Sequence, residues 1–109
     1  MIIVHVIDRD AAVRIAARRA LERAGFAVSE AADETCAADL RPELVIADLA
    51  VISVAAIQGR HPAARILAIS DAEGLPKPFT PSQLLAAVRL CLAQPDSRLT
   101  AATRGSRQR

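Results

Sequence analysis

The sequence predicts an α/β domain built as a doubly wound parallel sheet of four to five strands. Three observations carry this. Short β-branched apolar runs alternate with segments of helical period, and the runs are apolar at consecutive positions, as strands covered on both faces are. Caps, glycines and prolines punctuate the junctions between them. With 109 residues the chain is one domain, large enough for a modest core. Apolar residues make up 52% and aromatics 2%, so that core must be built from Ala, Val, Ile and Leu.

The first run, Ile2 to Ile7, reads as a buried strand. Asp10 is placed to cap the helix that follows, where Val13, Ala17, Ala20, Leu21 and Ala24 form one apolar stripe. Arg14, Arg18, Glu22 and Arg23 lie mostly away from that stripe, and Gly25 ends the helix. Phe26 to Glu30 is a second strand, Asp33 to Leu40 a short helix, and Leu44 to Ala47 a third strand. Ser53 to Gln58 makes one or two helical turns before Gly59, and Arg65 to Ile69 is a fourth strand. Thr80-Pro81-Ser82-Gln83 opens the last helix with a capping box and an early proline. Leu84, Leu85, Val88, Cys91 and Leu92 supply its buried stripe.

Charge is unevenly distributed. Through Gln94 ten basic residues face eleven acidic ones, whereas residues 95–109 carry four arginines against Asp96. The chain therefore divides into a balanced body, 1–94, and a basic tail, 95–109, whose Ser, Thr, Arg and Gly content predicts disorder. No aromatic, Cys/His or recognition-helix pattern accompanies those arginines, so nucleic-acid binding is not expected. The longest apolar stretch, Leu44 to Ile57, contains Asp48 and Ser53 and is too short to span a bilayer. Without a basic leader, and with Cys36 and Cys91 at no metal-ligand spacing, the expected setting is the cytoplasm, with reduced thiols. His5 inside the first strand reads as a core histidine, and His61 before Pro62 as a loop residue.

In parallel α/β sheets, sites form at the carboxyl ends of the strands. Asp8 follows the first strand, Asp48 the third and Ser70 the fourth, and Lys77 precedes the last helix. Lys77 is the only lysine among fourteen basic residues. A compact ammonium is not interchangeable with a guanidinium at a crowded anionic site. Two carboxylates, a hydroxyl and an ammonium at one edge suit a divalent cation and a phosphoryl group, and oxygen donors of this kind favour Mg²⁺. Nothing resembles a nucleophilic triad, a zinc site or a glycine-rich nucleotide loop.

The order of these pieces resembles the receiver domain of bacterial two-component response regulators. The matching pieces are Val4-His5-Val6-Ile7-Asp8, Ala20 to Val28, Glu30 to Asp33, Leu44 to Leu49 through Asp48, Ile69-Ser70, and Lys77-Pro78-Phe79-Thr80. The resemblance implies a flavodoxin-like receiver fold in which Asp48 accepts a phosphoryl group from a histidine kinase or phosphotransfer protein. It further implies Mg²⁺ held by Asp8, Asp48 and the Ala50 carbonyl, with Ser70 following the phosphoryl group, Lys77 as counter-ion, and a cis Lys77-Pro78 bond. Such a domain is not itself an enzyme and signals through a downstream protein target.

Three departures qualify that reading. Arg9 stands where receivers place a second acid. Turned inward to about 4 Å from Asp48 it would interact by roughly 4 kcal/mol and stand in for the metal; turned outward, it would leave room for Asp10 as the second acid. Six residues, Asp71 to Pro76, separate Ser70 from Lys77, too few for the family's fourth helix, so the fifth strand is missing or a stub. Gly74 occupies the place of an aromatic switch residue. A sheet without that helix should leave Ile66, Leu67 and Ile69 partly bare, which predicts a homodimer or an obligate partner, the alternative being that Leu75 or the tail around Leu99 folds over this surface. Two function classes follow: a stand-alone phosphoacceptor receiver, and a pseudo-receiver that keeps the fold as an unphosphorylated interaction module.

Overall fold

The computed structural model describes residues 2–33, 41–70 and 74–94, with the backbone alone of residues 99 and 100. Eight elements follow in order: β1 (Ile3–Ile7), α1 (Ala11–Arg23), β2 (Ala27–Ala31), β3 (Leu44–Asp48), α2 (Val54–Arg60), β4 (Arg65–Ile69), α3 (Pro81–Ala93) and β5 (Leu99–Thr100). The strands form one parallel sheet in the order β2-β1-β3-β4-β5. The expected helix over Asp33 to Leu40 falls almost wholly outside the described residues, at 34–40.

Local chemistry sets the helix ends. Asp10 accepts the Ala12 N–H to start α1, and Gly25, at φ 98°, takes the left-handed turn that ends it. Ser53 accepts the Ala56 N–H to start α2. Thr80 and Gln83 exchange both hydrogen bonds of a capping box at the start of α3, with Pro81 in first position.

Side chains of the sheet divide between two layers. Val4, Val6, Leu44, Ile46, Leu67 and Ile69 meet α1 and α3 through Ala17, Leu21, Leu84, Val88 and Cys91. On the opposite face Ile7, Val45, Ala47 and Ile66 pack with Ile52, Ile57 and Ala64. Burying a Leu or Ile side chain of this kind contributes about 1.5–3 kcal/mol. His5 is buried on the second face beside His61, their ring centroids 6.3 Å apart. His61 is more than the loop residue expected: it caps the C-terminus of α2 and is 9% exposed.

The expectation of a bare fourth strand is corrected. Ile66, Leu67 and Ile69 are at most 1% exposed, because α3 packs directly on β4 and two separate pieces cover the edge. At its carboxyl end, Leu75 forms an isolated parallel bridge with Ile69 and is buried in the first layer. At its amino end, Leu99 and Thr100 pair with Ile66 and Leu67. These two residues lie in the stretch expected to be a disordered tail, and for them that expectation does not hold; the remainder of the tail lies outside the described residues. The homodimer expectation loses the bare surface on which it rested.

No helix fills the segment between β4 and α3 among its described residues. The turn instead folds back on β4: Gly74 N–H donates to Ser70 O (3.2 Å), Leu75 N–H to Ala68 O (2.9 Å), and Ser70 N–H to Leu75 O (3.1 Å). The shortened connection thus supplies its own fragment of a fifth strand.

Candidate functional site

Asp8 leaves the end of β1, held by its N–H to Ala31 O at 3.1 Å, and is fully buried. Asp48 is the last residue of β3. Their neighbour is Lys77, whose Nζ lies 2.8 Å from Oδ2 of each carboxylate. The separation is the same but the geometry differs. Lys77 donates a directed hydrogen bond to Asp48, whereas Asp8 Oδ2 makes an ion pair without a directed donor and is the one buried oxygen of the site left without a hydrogen bond.

Each remaining carboxylate oxygen is oriented by backbone. Asp8 Oδ1 accepts the Asp10 N–H and Asp48 Oδ1 the Ala50 N–H, at 2.8 and 2.9 Å. These two turns aim the carboxylates at Lys77. The Lys77-Pro78 bond is cis. Ser70 follows Ile69, the register partner of Asp48, so its placement at the same carboxyl edge agrees with the sequence reading.

Electrostatics follow from this packing. Burial works against charge on Asp48, but the Lys77 hydrogen bond, the Ala50 N–H and the charges of Lys77 and Arg9 outweigh it and hold the carboxyl below its ordinary value. For Lys77, burial is likewise outweighed, by the Asp48 hydrogen bond and by the close negative charges of Asp8 and Asp48, and its pKa rises. Each charge supports the other.

Arg9 and Asp10 occupy neither of the inward positions considered from sequence. Arg9 is exposed, and only its charge reaches Asp48. Asp10 is exposed and its Oδ1 caps α1. The cation between the two acids is Lys77. A residue that sequence reasoning placed on a solvated face matters here: Arg14 donates to Asp8 O (2.6 Å) and Arg9 O (3.2 Å), with its Nε on Glu30 at 3.1 Å. It fastens the turn that presents Asp8. No local pattern marks it, because its partners belong to a turn and to a different strand.

Whether the site suits a metal can be tested on its donors. Among the described residues no three His, Cys, Asp or Glu side chains cluster as a ligand set. The two carboxylates nevertheless fit Mg²⁺, which is usually held by one or two acids with waters and phosphate oxygens. The buried, undirected Asp8 Oδ2 is the donor such a cation would use.

No protein-family model matches the chain, and no curated protein matches it in sequence. Solved structures do. A response regulator from Thermotoga maritima superposes with a TM-score of 0.75 at 22% identity, covering 86% of this chain and 99% of that one. The receiver domain of the hybrid histidine kinase CckA gives 0.69 at 26% identity, covering 83% and 98%. A response regulator protein from Burkholderia pseudomallei, with a phosphorylated aspartic acid, calcium ion and citrate, gives 0.67 at 24%, covering 87% and 76%. The parallel β2-β1-β3-β4-β5 order, the α1 and α3 layer and these likenesses together identify the chain as a domain of the response-regulator receiver fold, shortened between β4 and α3.

Proposed function

We propose that this chain is a stand-alone phosphoacceptor receiver in a phosphorelay, taking a phosphoryl group on Asp48 and acting through protein contacts. The observation that carries the reading is the position of Lys77 between Asp8 and Asp48. An Asp48 oxygen would attack phosphorus as the bond to the donor's leaving group breaks, giving an acyl phosphate. Asp48 suits the role because, against the opposing effect of burial, Lys77 and the Ala50 N–H hold its carboxyl below the ordinary carboxylate value, and because it is partly open to solvent at the strand edge. Lys77 would follow the negative charge from the carboxylate onto the phosphoryl oxygens, and the Ser70 hydroxyl would accompany it. The Burkholderia pseudomallei relative carries a phosphorylated aspartic acid, which supports the same chemistry here.

Mg²⁺, when bound by Asp8, Asp48 and the Ala50 carbonyl, would neutralise charge on the incoming phosphoryl group. The donor would be a histidine kinase or phosphotransfer protein, and the recipient of the signal a downstream protein; the chain itself would catalyse no turnover of a substrate. Among the described residues no helix is long and apolar enough to cross a membrane.

A second reading, the pseudo-receiver, is favoured by one observation: Asp10 caps α1 and leaves the site one acid short. Incubation with acetyl phosphate and Mg²⁺, followed by intact mass, separates the two. The receiver gains one phosphoryl group, and Asp48→Asn gains none. A wild-type chain that stays unlabelled while an ordinary receiver is labelled alongside it would establish the pseudo-receiver.

A further inference from the structure

We propose that a second site lies at the opposite edge of the sheet, where Arg41, Arg60, His61 and Arg65 surround a cavity that binds a small molecule carrying phosphate or pyrophosphate on a larger body. The cavity measures about 720 Å³, within the range of small-molecule sites. Its lining comes from the amino ends of the strands. Ile2 precedes β1, Pro42 and Glu43 precede β3, Ala64 and Arg65 lead into β4, and Leu92 closes it from the last turn of α3. It is therefore separate from Asp48, which sits at the carboxyl ends.

Charge at this edge is one-sided. Glu43 is the single acid of the lining, and its carboxylate is engaged with the Ile3 N–H at 3.2 Å. Arg65 is anchored to the carbonyls of Cys91 and Leu92 at the end of α3. Arg41 and Arg60 are exposed and make no ion pair with any described residue. Among the described residues, neither guanidinium has a carboxylate to pair with.

A second observation places those charges in one space. Arg41, ahead of β3, and Arg60, the last residue of α2, line the same cavity as His61, and burial first, then the charges of Arg60 and Arg41, hold the His61 pKa below its ordinary value. A phosphate-bearing ligand matches this set, because its oxygens accept paired N–H groups from a planar guanidinium. The floor, formed by Ile2, Pro42, Ala64 and Leu92, is apolar and larger than a bare anion needs. A ligand with a body attached to its phosphate fits both parts.

The test uses the full chain at about 0.15 M salt, where exposed charges more than about 8 Å apart are screened. Inorganic pyrophosphate and ADP are titrated separately while backbone amides and the His61 ring are followed by NMR. Saturable shifts at Ile2, Ala64 and His61 are expected with both probes, with ADP binding the more tightly. Arg41→Gln and Arg60→Gln, both at exposed positions, should each weaken binding about tenfold, and Arg19→Gln on α1 should not. Three results overturn the proposal: no saturation, shifts confined to Lys77 and Asp48, or unchanged affinity in both variants. Equal affinity for pyrophosphate and ADP would overturn the claim that the ligand has a body.

Discussion

A Cβ on Gly74 would lie 2.1 Å from the carbonyl oxygen of Ala68. That carbonyl already accepts the Leu75 N–H, so neither partner can retreat without breaking the fold-back that replaces the missing helix. Gly74→Ala should therefore lower stability by about 1–3 kcal/mol, the range for forcing extra volume into a packed site. Gly59 provides the contrast, since a Cβ there meets nothing within 4 Å. Gly59→Ala, inside α2, should be neutral or stabilising by up to about 1 kcal/mol. Urea midpoints of the two variants measure this, and equal effects would show that the close approach does not constrain the turn.

This contact also shows why some features were legible in the sequence and others were not. Asp10, Gly25 and the Thr80-to-Gln83 box act within four residues of themselves, so composition and spacing announce them. Lys77 was found because it is a unique residue type, and Asp8 and Asp48 because strand ends share an edge. Cover by the tail around Leu99 was only the alternative to a partner, because Leu99 and Thr100 carry no such signal. They follow α3 by a few residues yet close the edge of β4, a long-range pairing with no local pattern behind it. The partial cover from Leu75, the other half of that alternative, had equally little local signal, since it depends on a backbone approach that only Gly74 permits.

Removing the ammonium should reverse the pH response of the site. In the wild type the depressed Asp48 pKa contributes stability above the unfolded value near about 4 and loses it as pH falls through the folded value. The raised Lys77 contributes below its unfolded value near about 10.4 and loses it only as pH rises through the folded value. Lys77→Ala leaves two facing carboxylates without a cation, and protonating Asp48 relieves their repulsion. The variant should be about 1–3 kcal/mol less stable at neutral pH. That is below the full cost of breaking a buried pair, because Lys77 is 33% exposed. The deficit should narrow as pH approaches about 4. Urea titrations across that interval test it, and a pH-independent gap would mean that the pair is not electrostatically coupled.

Arg9 offers a separate handle on the cation. It is exposed, yet its charge is felt at Asp48. Arg9→Asp removes a positive charge and adds a hard oxygen donor next to Asp8, so Mg²⁺ affinity measured by calorimetry should rise about tenfold or more. Asp8→Asn in the same background should abolish the gain. Unchanged affinity in Arg9→Asp would show that the turn fastened by Arg14 keeps position 9 away from the metal.

The edge of β4 supplies the last prediction. Leu99 and Thr100 pair with Ile66 and Leu67, and without them that stretch of backbone would be an open template for another chain. A chain ending at Gln94 should therefore self-associate more strongly than the full chain in sedimentation, and amides of β4 should exchange faster in its monomer. The deletion also removes Arg98, Arg104, Arg107 and Arg109, and a change in net charge alone alters association. Replacing those four arginines by serine in the full chain separates the two causes. If pairing is what matters, the serine variant should sediment like the wild type and only the truncated chain should associate. Association in both would assign the effect to charge, and association in neither would show that Leu75 and α3 cover the edge unaided.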